Sequence, residues 1–251
     1  MEKTAIITGI KRVGREVAKR LLEEGYNLSV VYLSSEEEAK EIERTAKELG
    51  RDTLLLERDL SVYGSFSDIV ESTHRHFGRV DAFVHLASPY YRTPIESLTG
   101  KDLHNHLAPI AEAFLFIAKH AYEKMLLNEG NIKGRIVAFG DWAVECTPYR
   151  DYTAYFIAKG ALHTAVKVLA KEFAPSVLVN CLALGPTLKA EGLSDEEWER
   201  ILKNTPLRRK VSLKDVVNLV SFLLQAESIT GEIVNVDSGR HIAGSGIRGI
   251  G

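Results

Sequence analysis

A chain of 251 residues, 45% hydrophobic and 26% charged, can bury one sizeable core, and α/β folds of this length are commonly single domains. Its 32 basic and 34 acidic residues leave a net charge of −2, which argues against nucleic acid as the main partner. No apolar run approaches the roughly 18 residues needed to span a bilayer, and the stretch at Ala5 to Ile7 is too short for a signal segment, so a cytoplasmic protein without membrane contact is expected.

Apolar strand-like runs at residues 4–8, 28–33, 53–57, 80–86, 134–140, 177–183 and 232–236 alternate with helical patterns near 13–24, 35–49, 64–77, 97–128, 152–173 and 212–225. Such alternation implies parallel strands with crossover helices in one domain spanning 1–251. The first strand runs through Thr8 into Gly9, then Lys11, Arg12, Val13 and Gly14 open an amphipathic helix carrying Val17, Ala18, Leu21 and Leu22. Glycines at such a turn let the backbone approach a pyrophosphate, which free N–H groups at the helix N-terminus then hold. The spacing differs from the G-x-G-x-x-G fingerprint. At the end of the second strand, Val31-Tyr32-Leu33-Ser34-Ser35 offers no acid for a ribose 2′-hydroxyl. This favours NADP(H), with Arg12 pairing with the 2′-phosphate and Ser34 donating to it. The alternatives are a solvated loop for Lys11 and Arg12, and a helix cap for Ser35.

Farther on, a strand ending at Asp141 precedes a helical stretch containing Tyr155 and Lys159. One turn apart, the phenol and the ammonium share a face, and the cation favours phenolate. Free tyrosine titrates near ~10, so bringing it to neutrality needs roughly 4 kcal/mol of differential stabilisation. A negative Asp141 would act the other way by like-charge logic. Cys146 and Cys181 make neither a metal pattern nor a disulfide framework, and both are expected free and buried. His104 and His106, like His74 and His76, are spaced i and i+2 and point to different helix faces, so a surface position and no metal are expected. A polar, Glu-rich insert at about 186–212, with Trp198 and Pro206, reads as a helical flap, and residues 244–251 as a glycine-rich tail that packs on a partner or frays.

On these motifs and their order, residues 3–242 resemble the short-chain dehydrogenase/reductase family. The resemblance implies a three-layer, doubly wound Rossmann fold with a seven-stranded parallel sheet, a small helical substrate flap, an NAD(P) cofactor and a homo-oligomer, a tetramer or dimer. Thr8 and Gly9 through Gly14 match the family's cofactor loop. Asp59, followed by Leu60, matches its adenine-contacting aspartate, with a helix cap as the alternative. Ala87, in His85-Leu86-Ala87-Ser88, occupies the Asn-Asn-Ala-Gly segment with both asparagines missing. Gly185-Pro186 matches the Pro-Gly turn, and Asn180 a structural strand asparagine. A gapless alignment puts Ile110 where the family carries a helix asparagine, whereas Asn105 fits only with an insertion.

Within the family, the chain is similar to the pteridine reductase and dihydromonapterin reductase branch. Lys11-Arg12-Val13-Gly14 is like that branch's Lys-Arg-Leu-Gly loop, one residue shorter. Asp141 stands where most members carry a catalytic serine, and residues 87–94 look like its Ala-Ser-Ser-Phe-Tyr-Pro-Thr-Pro segment. The resemblance implies hydride transfer to a C=N bond of a dihydropterin or dihydrofolate-like small molecule. Tyr155 would deliver the proton, Lys159 would hold the nicotinamide ribose, and Ser88, Tyr90, Asp141 and Tyr155 would contact the substrate. For Asp141 the alternative is a turn residue, and for Tyr90 and Tyr91 loop or interface packing. The competing functions are a 3-oxoacyl-carrier-protein reductase or sugar or alcohol dehydrogenase, and a catalytically silent NADP(H)-binding sensor. Phe114, Leu115, Phe116 and Ile117 fit either a dimer contact or an ordinary core.

Overall fold

Seven parallel strands form the centre of the protein, which a computed structural model describes over residues 2–190 and 192–243. The expected tail at 244–251 lies outside the described residues. In chain order the elements are β1 (Thr4–Thr8), α1 (Val13–Glu23), β2 (Asn27–Tyr32), α2 (Glu36–Glu48), β3 (Thr53–Glu57), α3 (Ser65–Phe77), β4 (Ala82–His85), α4 (Gly100–Leu107), α5 (Ala113–Met125), β5 (Gly134–Asp141), α6 (Thr153–Glu172), β6 (Val177–Leu184), α7 (Asp195–Lys203), α8 (Leu213–Leu223) and β7 (Ile233–Val236). Strands buried on both faces read as continuous apolar runs, and Thr4–Thr8 is buried at every position.

The sheet order is β3-β2-β1-β4-β5-β6-β7. Because the chain winds outward from β1 in both directions, a crevice opens beyond the carboxyl ends of β1 and β4, where doubly wound sheets bind ligands. Alternate side chains feed two cores. Ile6, Phe83, Ile136 and Val179 face α3, α5 and α6. Ile7, Val84, Val137 and Leu182 face α1, α2 and α8. Phe114 and Ile117 belong to the first core, whereas Leu115 is 37% exposed.

The helix expected over 97–128 is divided. Thr99 accepts from the Asp102 N–H while the Asp102 carboxylate accepts from the Thr99 N–H, a capping box that starts α4. Pro109, which has no N–H to continue the ladder, then lies in a wide π-type turn, Ala108–Glu112, before α5 begins. The flap is closed at its base by the Val211 N–H, which donates to the Pro186 carbonyl at 2.8 Å. Its helix, α7, starts at a second capping box, Ser194 with Glu197, and buries none of its residues. Among the described residues no helix is long and apolar enough to cross a membrane.

Candidate active site

At one end of the crevice, after the carboxyl end of β1, the β1–α1 turn is a cradle that a side chain would fill. A Cβ on Gly9, whose φ is +74°, would stand 2.4 Å from the Ala87 nitrogen, and one on Gly14 would stand 2.0 Å from the Gly9 carbonyl oxygen. The turn therefore lies directly on the end of β4, and no side chain caps the start of α1. Bare backbone at a helix N-terminus suits a pyrophosphate, so these residues fit a dinucleotide.

Around this cradle the expected residues divide. Thr8 is buried and its hydroxyl lies 2.9 Å from His85 Nδ1 and 3.4 Å from the Ala87 nitrogen. Lys11 is exposed and Val13 half-buried. Arg12 holds a left-handed backbone with φ 58° and donates from Nη2 to the Lys189 carbonyl at 2.8 Å. That contact joins the turn to the flap, while the guanidinium stays exposed with its other N–H groups uncommitted to this bond. Ser34 is exposed, whereas Ser35 is buried and makes no side-chain cap. Asp59 accepts from the Ser61 N–H at 2.8 Å and its hydroxyl at 2.7 Å, so it shapes its own turn, and Leu60 is buried in the core. Gly185 packs on Asp237, where a Cβ would come within 2.5 Å of the Asp237 Cα.

At the other end of the crevice, β5 and α6 bring the chemistry together. Tyr155 donates to Asp141 Oδ2 at 2.9 Å. Asp141 Oδ1 accepts from the Ala143 N–H at 2.8 Å and the Tyr149 hydroxyl at 3.3 Å, and Trp142 Nε1 donates to that hydroxyl at 3.1 Å. Lys159 Nζ donates to the Phe139 carbonyl at 2.6 Å and lies 5.7 Å from the centre of the Tyr155 ring. All three principal side chains are buried, Tyr155 to 6% exposure, Asp141 to 8% and Lys159 to 3%.

Burial governs their protonation. It pushes the Asp141 carboxyl up, against the Ala143 N–H, the Tyr155 hydroxyl and the Lys159 charge, all of which favour the carboxylate. It lowers Lys159 to about 8, with the Asp141 charge opposing. The Tyr155 phenol is held well above its ordinary range, first by burial and then by Asp141. The expectation that Lys159 lowers the phenol is thus not met in the protein alone, because desolvation and the adjacent carboxyl outweigh a cation 5.7 Å away. The arrangement keeps the phenol protonated, its O–H directed at a carboxyl 2.9 Å away.

Aromatic rings wall this pocket. Tyr90 stacks on Tyr152 at 4.6 Å and meets Tyr155 edge-on at 5.0 Å. The segment carrying it is pinned to the start of α6 by Arg92 with Asp151 at 2.6 Å, and by the Thr93 hydroxyl, which accepts from the Ala154 N–H at 3.1 Å. Ser88 is exposed at the entrance of this segment.

Three histidines depart from or extend the sequence reading. His106 is fully buried rather than on the surface; its Nδ1 donates to the Asp102 carbonyl at 2.9 Å and its ring lies 4.2 Å from that of Tyr91. α4 packs this face on α6, while His104 and His76 are exposed and His74 is half-buried. His85 occupies the first missing asparagine position. Its Nε2, opposite the Ile110 carbonyl at 3.1 Å, must carry the hydrogen, leaving Nδ1 to accept from Thr8. Burial lowers it to about 3, so the neutral ring ties β1 to the π-type turn. His163, on the turn of α6 after Lys159, and the Tyr149–Trp142 pair carry no signal in the sequence, since no periodicity marks a residue that matters only through a neighbour in space. Cys181 is buried as expected, but Cys146 is exposed in the turn after β5, and neither is in a disulfide. Asn180 has the structural role expected, donating to the Ile229 carbonyl at 2.8 Å and accepting from the Glu232 N–H at 3.1 Å.

A family model described as enoyl-(acyl carrier protein) reductase matches residues 9–241. The chain belongs to the short-chain dehydrogenase/reductase family. A relative from Rhizobium meliloti, enoyl-[acyl-carrier-protein] reductase [NADH] 2, is 30% identical over 96% of this chain and 92% of its own. Among solved structures of the same fold, acetoin dehydrogenase from Enterobacter cloacae is 28% identical with a TM-score of 0.88, covering 99% of both chains. FolM alternative dihydrofolate reductase 1 from Brucella suis, solved in complex with NADP, is 25% identical with a TM-score of 0.88, covering 96% of this chain and 95% of that one. As a short-chain dehydrogenase/reductase, the protein is an oxidoreductase that uses a nicotinamide cofactor on a small-molecule substrate.

Proposed function

We propose that this oxidoreductase uses NADPH to reduce a C=N bond of a pteridine-type substrate, a dihydropterin or dihydrofolate-like molecule, with Asp141, Tyr155 and Lys159 as its catalytic residues. The observation that carries this reading is the Asp141 carboxyl 2.9 Å from the Tyr155 hydroxyl inside a wall of tyrosines. Reduction of a ketone needs one proton donor beside the reacting carbon. A second, ionisable group in the same pocket suits a substrate whose edge carries both N–H donors and ring-nitrogen acceptors. A carboxyl raised by burial accepts from such donors when ionised and donates to such acceptors when protonated. Tyr90 offers a face to a flat ring, and Ser88 a polar group at the entrance.

When bound, the cofactor supplies the hydride. The chain's residues do the rest. Tyr155 gives its hydroxyl proton to the substrate nitrogen, Asp141 orients that hydroxyl and keeps it protonated beforehand, and Lys159 would hold the ribose hydroxyls. Gly9 and Gly14 would admit the pyrophosphate, Thr8, Lys11, Val13, Ala87 and Gly185 would hold the cofactor along the same side, and Asp59 and Leu60 would meet the adenine. The absence of an acid at Tyr32 to Ser35 supports a 2′-phosphate, which Ser34 and Arg12 would meet. The FolM protein of Brucella suis, in complex with NADP, supports the same choice. Exposed Leu115, Ile157 and Val168 on α5 and α6 support assembly as a homo-oligomer.

Likeness to an acetoin dehydrogenase across 99% of both chains favours a carbonyl reductase as the second reading. Initial rates of NADPH oxidation against dihydrobiopterin, dihydromonapterin and dihydrofolate, beside an acetoacetyl thioester and simple ketones, separate the two. Turnover of pterins is expected. Turnover of carbonyl compounds alone would replace the proposal by the second reading.

A further inference from the structure

At the amino ends of β1, β4 and β5 the surface holds a pocket of about 200 Å³. Eight residues of β5 separate it from the catalytic crevice, roughly 26 Å along the strand. Its charged lining is Lys3, Arg79, Lys133 and Arg135 against Asp81 and Glu129, four cations to two carboxylates. The chain as a whole carries −2, so this positive excess is local.

Pairing inside the pocket neutralises a carboxylate without using up the cations. Arg79 donates from Nε and Nη2 to Asp81 at 2.7 and 2.6 Å, and the Thr4 N–H donates to the same carboxylate at 2.8 Å. Arg135 is anchored by Nε, which donates to the Ala226 carbonyl at 2.9 Å. Its two terminal nitrogens make no hydrogen bond among the described residues. Lys133 Nζ donates to the Leu126 carbonyl at 2.7 Å, which occupies one of its three N–H groups. Lys3 is exposed, with its ammonium 5.8 Å from the centre of the Tyr26 ring.

Tyr26, in the turn between α1 and β2, is the group that points to a ligand. It lines the pocket and is 5% exposed, yet its hydroxyl makes no hydrogen bond among the described residues. Burial, helped by the Asp81 charge, pushes the phenol up to about 12. At neutral pH it is therefore an O–H donor set among cations with no acceptor of its own, an arrangement that calls for an explanation.

We propose that this pocket binds a phosphate group, carried as inorganic phosphate or as a small phosphate monoester. The donors come from four separate stretches of chain: Lys3 before β1, Tyr26 before β2, Lys133 before β5 and Arg135 within it. A carboxylate has two oxygens in one plane, whereas a phosphate has at least three acceptors in different directions and a charge of about −1.5 to −2, which matches the excess of two cations. The space, about that of six or seven waters in the liquid, admits a phosphate with a few attached carbons and excludes a nucleotide. A phosphate held there ties the amino ends of three strands together and stabilises the folded chain by mass action. The inference is independent of the substrate reading, since none of these residues belongs to the catalytic crevice.

The test is a calorimetric titration of the full chain with inorganic phosphate and with glycerol phosphate. NADPH is present to fill the cofactor cradle, and ionic strength is held constant with chloride. Phosphate should bind at one site with a Kd of about 1 mM or below. Affinity should fall about tenfold or more in Arg135→Met and about threefold in Tyr26→Phe, and should hold in Arg12→Ala. Tighter binding of the ester supports the proposal and identifies a monoester; tighter binding of the free ion supports it and identifies inorganic phosphate. No binding of either probe, equal affinity in Arg135→Met and Tyr26→Phe, or binding lost in Arg12→Ala instead overturns it. If Arg135→Met does not fold, Tyr26→Phe and the exposed Lys3→Gln decide, and unchanged affinity in both has the same force. Failure of pterin turnover removes the substrate reading and leaves this titration intact.

Discussion

At the β1–α1 turn the crevice is shaped by backbone, whereas between β5 and α6 it is shaped by side chains gathered from separate parts of the chain. Gly9 and Gly14 sit where any Cβ would collide with neighbouring main chain, so that wall has one workable solution. The opposite wall takes Tyr90 from the segment after β4, Asp141 and Trp142 from the end of β5, Tyr149 and Tyr152 from the approach to α6 and Tyr155 from the helix itself. Its geometry can be altered one side chain at a time. The backbone wall should therefore fail completely when disturbed, and the side-chain wall in grades.

Gly14→Val is the harshest disturbance of the first wall. With its Cβ 2.0 Å from the Gly9 oxygen, it should lose about 3 kcal/mol or more of stability and all detectable NADPH binding. Thermal unfolding and a fluorescence titration measure both, and normal binding would show that the cradle is not used. On the second wall, Tyr155→Phe should lower kcat by about 10²–10⁴-fold while leaving NADPH affinity within about threefold by the same titration. Equal loss of both would make Tyr155 a packing residue.

Lys159→Met separates stability from chemistry. Lowering of the ammonium to about 8 by burial corresponds to roughly 3 kcal/mol of lost stability at neutral pH. Between about 8 and the unfolded value near ~10.4, the unfolded chain holds the proton that the folded chain has released, so wild-type stability rises with pH there. The variant should be the more stable protein near neutrality, its advantage shrinking as pH rises through that window, although its turnover falls. Urea unfolding at both ends of the window checks the sign, and a constant difference would mean that Lys159 is not desolvated. The smallest effect is expected at Arg12, whose guanidinium is exposed and held by the Lys189 carbonyl. Arg12→Ala should reduce the preference for NADPH over NADH about tenfold, read from kcat/KM with each cofactor.

Legibility in the sequence follows the same division. The glycine turn, the alternation of strands and helices and the spacing of Tyr155 from Lys159 are local patterns, and β1, β3 and α3 lie within a residue of where periodicity put them. The division of the helix after β4 could be suspected from Pro109, but the burial of His106 under Tyr91 depends on packing across α4 and α6. His85 is similar. Nothing local announces that it bridges Thr8 and Ile110, residues 77 positions before it and 25 after it. The upward push of Asp141 on Tyr155 is legible from like-charge logic, but the desolvation that adds to it and outweighs Lys159 is not, since spacing along a helix carries no measure of burial.

The central claim is that Asp141 and Tyr155 together fit the site to a C=N substrate. Initial rates of wild type and Asp141→Ser, each with NADPH against dihydrobiopterin and a simple ketone, test it most directly. The account predicts that the variant loses about 10²-fold or more in kcat/KM for the pterin while its ketone rate holds or rises. Equal rates on the pterin, or an equal loss on both substrates, would contradict it.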